Sequence, residues 1–341
     1  MRIDSIEELD DALSRPTEGA LDSLRKLDGD FLVAGAGGKM GPTLARMIRR
    51  GLDAIGRRDS RVVAVSRFSN PAHADALRAL GVETIACDLL NRDAVAALPR
   101  LRNLIFMAGQ KFGTRDAPDL TWAMNTLVPS HVAEHFGQSR TVVFSTGCVY
   151  PLMPVDGPGA DENTPLTPPG EYANSCVGRE RIFEFHARRN GAPLLLFRLC
   201  YAIDLRYGVL LDVAQKVAAG QAVDVTMGHA HVIWQGDANA RAIQALERAA
   251  SPAVAVNVTG QQRVSIRDLA LRFGGLLGRE PRITGQEAPL AWVWDARRCK
   301  DWFGPLEVGL DSMIEATAHW VKRGGDTLGK PTHFEVRDGE F

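Results

Sequence analysis

The chain has 341 residues, with 40 Lys plus Arg against 41 Asp plus Glu and a hydrophobic share of 45%. That length suits one large α/β unit, or a main domain with a smaller lobe attached. Its balanced charge leaves no cationic excess to neutralise a nucleic-acid backbone or an anionic membrane, so neither is expected as a partner.

No run of about 18 apolar residues is present, and the start Met1-Arg2-Ile3-Asp4 lacks the basic and then apolar layout of a secretion signal, so a cytoplasmic location is expected. The five cysteines are widely spaced without a Cys-x-x-Cys pair, and no His-Glu-x-x-His occurs; reduced thiols and no metal are expected.

In chain order, residues 1–29 read as an amphipathic helical extension interrupted at Pro16, placed on the surface. An apolar run, Phe31 to Ala34, ends at Gly35, and helical periodicity resumes from Met40 to Arg50. Further apolar runs follow at Val62 to Val65, Val82 to Ala86, Leu104 to Ala108, Val142 to Phe144 and Leu194 to Phe197, mostly separated by helical segments. This alternation predicts a doubly wound α/β fold, a parallel sheet covered on both faces, over residues 30–200. The Pro- and Gly-rich stretch Pro151 to Gly170 is expected to be a mobile loop. Residues 201–325, with helices expected at Val209 to Ala219, Asp237 to Ala249, Ile266 to Leu277 and Leu310 to Arg323, read mainly as a smaller lobe that binds substrate; residues 326–341 read as a tail.

Chemistry first enters at Gly35-Ala36-Gly37-Gly38-Lys39-Met40-Gly41, between the first strand and the next helix. Glycines there permit a tight turn and close approach of backbone to a pyrophosphate, and the helix N-terminus offers N–H groups to the anion. The second strand ends in Ser66-Arg67. A carboxylate at that place would repel a ribose 2′-phosphate, whereas Ser66 can bond it and Arg67 can pair with it, which favours NADP over NAD as coenzyme. Arg67 has the alternative of a solvated loop residue. After the third strand, Asp88-Leu89 either meets the adenine or caps the following helix.

In the order of these pieces the chain resembles the extended short-chain dehydrogenase/reductase family, which contains NAD(P)-dependent nucleotide-sugar epimerases and dehydratases. The likeness runs from about Phe31 to Arg323. It includes Gly35, Gly38 and Gly41 at Gly-x-x-Gly-x-x-Gly spacing, Asp88, Ala108-Gly109, Asn125, Ser145-Thr146, Val149-Tyr150, Tyr172 with Ser175 and Glu180, and Phe197-Arg198-Leu199. The resemblance implies a Rossmann-type domain with a C-terminal substrate lobe, coenzyme contacts along those pieces including Asn125, a homodimer, and oxidoreductase, epimerase or dehydratase chemistry on a hydroxyl or carbonyl of a sugar-like small molecule. It also implies a Ser/Thr, Tyr and Lys constellation in which the tyrosine moves a proton.

Thr146 and Tyr172 fill two of those places, but the motif reads Tyr172-Ala173-Asn174-Ser175-Cys176, with Cys176 where the family has lysine. A phenol with a reference pKa of about 10 needs a nearby cation to act as a base near neutrality, and a neutral thiol supplies none. Lys111, after the fourth strand, is the first candidate for that charge, with Arg179 the second. An active enzyme is expected; the rival is a catalytically silent coenzyme-binding regulator or redox sensor. Cys148, Tyr150, Arg198, Trp234, Gln235 and Arg297 are the expected substrate-side residues, the arginines to grip an anion and Trp234 to stack on a sugar face.

Overall fold

The structure is a computed structural model and describes residues 1–339. Short apolar runs become strands because both of their faces are covered: Phe31–Ala34 (β1) and Asn103–Phe106 (β4) are buried at every position. With Val62–Ser66 (β2), Glu83–Ala86 (β3), Arg140–Thr146 (β5), Leu194–Leu199 (β6) and Val254–Val258 (β7) they form one parallel sheet in the order β7-β6-β5-β4-β1-β2-β3. Neighbouring strands diverge from β1, to β2 on one side and β4 on the other. This is the crevice at which open α/β sheets bind ligands.

Alternation along each strand divides the core in two. Phe31, Val33, Val62, Ala64, Ile105 and Val142 face helices Gly41–Ala54 and Gln235–Arg248. Leu32, Ala34, Val63, Val65, Leu104 and Phe106 pack with Val128, Val132, Phe183 and Ala187 from helices Val128–His135 and Glu171–Asn190.

A second lobe gathers helices Val209–Ala219, Ile266–Leu277 and Leu310–Lys322 around Ile203, Val213, Phe273 and Trp320. Three expectations change here. Residues 1–29 are not a surface extension: Leu9 and Leu13 sit in the second lobe's core, and Ala20, Leu24 and Leu27 in the sheet's. Residues after 200 return to the main domain through Gln235–Arg248 and β7, whose Val256 and Val258 lie in the sheet core; a break at 200 misses this because the edge strand lies far along the chain from its β6 partner. The stretch Pro151 to Gly170 is pinned, Met153–Pro154 pairing antiparallel with Leu290–Ala291 and Ala160 bridging Trp294.

Under the C-terminal edge of β5 and β6 lies a buried polar staple. Arg198 on β6 donates from Nε and Nη2 to Glu180 at 3.0 and 2.8 Å and from Nη1 to the Tyr150 hydroxyl at 2.7 Å. Ser145 donates to Glu180 at 2.5 Å, and Tyr150 donates to Asn257 Oδ1 at 2.7 Å. Paired charges this deep are costly to leave unpartnered. Arg198→Met, which strands the fully buried Glu180 carboxylate, is therefore expected to cost about 3–5 kcal/mol in urea unfolding, with part regained when Glu180→Gln is added.

Candidate active site

The glycine turn is a close-approach structure. Gly35 has φ +89, and a Cβ there would lie 2.5 Å from the Ala108 backbone nitrogen. A Cβ on Gly37 would strike the Ser66 hydroxyl, and one on Gly41 the Ala36 carbonyl, whereas above Gly38 the nearest atom is 3.5 Å away. Gly41–Ala54 then begins without a side-chain cap, which leaves the first amides of that helix to an anion, while those of Gly35, Ala36 and Gly38 in the turn already bond the Val65 and Gly35 carbonyls. An exposed cradle of Gly37 and Gly38 at a 14-residue helix start fits a dinucleotide's pyrophosphate.

Around it, Ser66 stands directly over Gly37 and Arg67 is exposed beside it. Asp88 accepts from the Leu90 amide at 3.0 Å, so it caps its own turn while remaining exposed; Leu89 is buried. Met40 and Ala108 are buried at the floor. The side chain of Lys39 turns away from the cradle: its Nζ donates to the Ala202 carbonyl at 2.9 Å and lies 3.8 Å from the centre of the Tyr207 ring. Burial pulls that ammonium's pKa down to about 8.

Asn125 occupies a π-helical turn, Ala123–Leu127, and is fully buried. Its Nδ2 donates to the Gln110 carbonyl and the Ser175 hydroxyl, both at 2.9 Å, while its Oδ1 accepts from the Gln110 amide at 3.0 Å and from Arg179. Those four bonds use the whole capacity of a carboxamide. Asn125 is thus corrected from a coenzyme contact to the staple that holds the loop after β4 against helix Glu171–Asn190. Asn125→Ala is expected to cost about 1–3 kcal/mol, read by urea unfolding, because it strands the buried Arg179 and Ser175 groups.

Thr146, at the end of β5, and Tyr172, in the first turn of helix Glu171–Asn190, meet through their hydroxyls, and the Cys176 thiol, one turn on, bonds the same phenol. The Thr146 hydroxyl also accepts from the Cys148 amide at 3.1 Å. Burial pushes the Tyr172 phenol well above its ordinary value and the Cys176 thiol up as well, and Arg179 opposes both. The Lys111 ammonium lies 5.9 Å from the centre of the Tyr172 ring, near Cys148 and Cys176, and burial lowers its pKa.

Arg179 carries more of the site than its second place among the candidate cations implies. Its Nη1 donates to the Phe144 carbonyl at 2.9 Å, and it fills the space beside Gly109 so closely that a Cβ there would overlap the guanidinium. The available signal was its helical spacing, three residues from Cys176 and seven from Tyr172.

Of the six substrate-side residues, Cys148 adjoins Tyr172. Tyr150 and Arg198 are corrected to the buried staple, Arg198 being already paired with a carboxylate. Trp234 is in the second lobe's core and Gln235 bonds Thr43 at 3.2 Å, both buried, so neither faces a ligand. Arg297 is exposed but paired to Asp295 at 2.6 Å; with His231, Arg263 and Trp294 it lines a cavity of about 430 Å³ that includes neither Thr146 nor Tyr172. Among the described residues, no cluster of His, Cys, Asp and Glu could hold a metal ion, and no helix is long and apolar enough to cross a membrane.

The glycine cradle follows β1 at the sheet crevice, and the Thr146–Tyr172 pair stands at the end of β5, two strands away. The model of the NAD dependent epimerase/dehydratase family matches residues 31–235, and the chain belongs to that family. Comparison with the curated proteins gives no match. Among solved structures, the chain is similar to UDP-glucose 4-epimerase of Thermus thermophilus in complex with NAD (19% identity, TM-score 0.69, covering 85% of this chain and 97% of that one). It is similar also to the dTDP-glucose 4,6-dehydratase DesIV of Streptomyces venezuelae with NAD and TYD bound (17%, 0.71, 86% and 97%) and to MoeE5 in complex with UDP-glucuronic acid and NAD (19%, 0.69, 87% and 100%). At these identities the likeness is one of fold.

Proposed function

We propose that the chain is an NAD(P)-dependent oxidoreductase of the epimerase or dehydratase type, acting on a hydroxyl or carbonyl of a sugar or sugar-derived small molecule. The observation that carries this reading is the Thr146–Tyr172 hydroxyl pair at the end of β5, separated in the sheet from the glycine turn after β1 only by β4 and its Ala108-Gly109 end. A bound nicotinamide would supply the hydride chemistry, with Gly37, Gly38 and the start of Gly41–Ala54 holding the pyrophosphate and Ala108-Gly109 flanking it.

The protein's own work is proton movement. Tyr172 exchanges a proton with the substrate oxygen, and Thr146 fixes the direction of the phenol. Because burial holds the phenol above its usual pKa and Cys176 brings no positive charge, Tyr172 carries its proton at neutral pH and favours donation to a carbonyl. Arg179 and Lys111 supply the cationic field that the family's lysine would have supplied.

Ser66 over the turn and the exposed Arg67 support NADP, with NAD as the alternative. Exposed Trp122, Leu127 and Phe185 on the segments flanking Asn125 and on the Tyr172 helix support a homodimer through those faces. Five buried free cysteines suit a reducing, cytoplasmic setting.

Tyr172→Phe is expected to lower kcat/KM by about 10²–10⁴-fold with a panel of sugars and sugar acids, followed by coenzyme absorbance or epimer formation; turnover indifferent to that change contradicts the reading. In the oxidation direction the phenolate is the working form, so the rate rises with pH. Cys176→Lys is expected to move that rise downward by about 1–3 pH units, since an ammonium stabilises the phenolate. Arg67→Ala is expected to weaken NADP by about tenfold and leave NAD nearly unchanged, measured by fluorescence titration of the reduced coenzymes.

A further inference from the structure

We propose that the C-terminal segment, residues 331–339, is the substrate-side wall of the active site and restricts it to compact substrates without a nucleotidyl group. The proposal rests on the reading of Tyr172 as the proton-transfer residue and narrows the substrate class of that same site.

The segment is anchored at both ends and between them passes the cluster against which Tyr172 packs. Phe334 is buried in the second lobe's core, and the Thr332 amide and hydroxyl donate to Asp212 at 2.8 and 2.5 Å. Val336 packs, as Tyr172 does, against the small cluster of Cys148 and Ala173, and its carbonyl accepts from Trp292 Nε1 at 3.2 Å. Arg337 donates to the Leu290 carbonyl at 2.7 Å. Gly339 then lies back to back with Gly170, at the start of the Tyr172 helix. Both glycines are left-handed, with φ +80 and +77, and a Cβ on Gly170 would come 2.7 Å from the Gly339 backbone. The chain thus spans from the second lobe to the N-terminus of the Tyr172 helix, past the Cys148 and Ala173 side chains on which Tyr172 rests.

Electrostatics agree with sterics. A nucleoside diphosphate needs cations and donors to hold its charge. Three basic or donor groups are already matched to the segment: Lys216 pairs with Glu335, the Lys111 Nζ donates to the Thr332 carbonyl at 3.3 Å, and Trp292 is bonded to Val336. To admit a nucleotidyl group, the segment would have to leave, exposing Phe334 and stranding Asp212. A free sugar or polyol carries no diphosphate charge to be matched and asks far less room beside the Thr146 and Tyr172 hydroxyls.

The test is a calorimetric titration of UDP into the full chain, and into a chain ending at Gly329, each saturated with whichever of NADP and NAD it binds more tightly. Coenzyme affinity is read first on each protein, so failure of the oxidoreductase reading shows as absent coenzyme binding, whereas failure of the wall shows in the UDP titration. The full chain is expected to give no UDP heat at millimolar concentration, and truncation to tighten UDP binding by about tenfold or more while coenzyme affinity stays within about twofold. Should truncation unfold the protein, judged by circular dichroism, the double variant Glu335→Ala/Val336→Ala keeps Phe334 and Thr332 and is expected to gain UDP affinity in the same direction. Sub-millimolar UDP binding to the full chain, or a UDP affinity that neither change improves, overturns the proposal.

Discussion

At the C-terminal end of β1 the backbone runs so close to its neighbours that no side chain fits: Gly35 against Ala108, Gly37 beneath Ser66, Gly41 against Ala36. That contact lets the helix Gly41–Ala54 start against the sheet with its first amides open toward the crevice. The rest of the site is arranged around the place so defined. Ala108-Gly109 continues its floor, Arg179 fills the space that Gly109 leaves, and Asn125 ties that loop to the helix carrying Tyr172.

Positive charge is the second constraint. Cys176 beside the phenol brings no charge, and the positive charge near Tyr172 comes from a buried guanidinium and a partly buried ammonium. The guanidinium is fixed by the Phe144 carbonyl and Asn125, so its charge stays in place as the site changes occupancy. A tyrosine that holds its proton at neutral pH is the outcome of that balance.

Local patterns revealed much of the fold. Val209–Ala219 and Ile266–Leu277 form at the expected residues because their apolar spacing matches the face they bury, and β1 to β6 of the main sheet overlap the expected apolar runs, whereas β7 was not among them. Long-range pairing was not legible: β7 joins β6 from 55 positions or more along the chain, and Leu9 and Leu13 enter a core made by residues beyond 200. In the candidate site, Thr146, Tyr172 and Cys176 stand together as their motif implied. Tyr150, Arg198, Trp234 and Gln235 were misread because a polar or aromatic residue at a strand end looks alike whether it faces a ligand or a buried partner; only the Glu180, Asn257 and Thr43 contacts decide it. The last residues were read as a tail because Phe334 and Val336 are too few to show a period, yet each is held by a separate contact.

The most direct test of the central claim is calorimetric titration of NAD and NADP into the purified chain and into Gly37→Val, whose side chain would collide with Ser66 in the cradle. The account predicts micromolar binding of at least one coenzyme to the native chain and a loss of about 100-fold or more in the variant. Absence of binding by both coenzymes, or equal affinity in the two proteins, would contradict it.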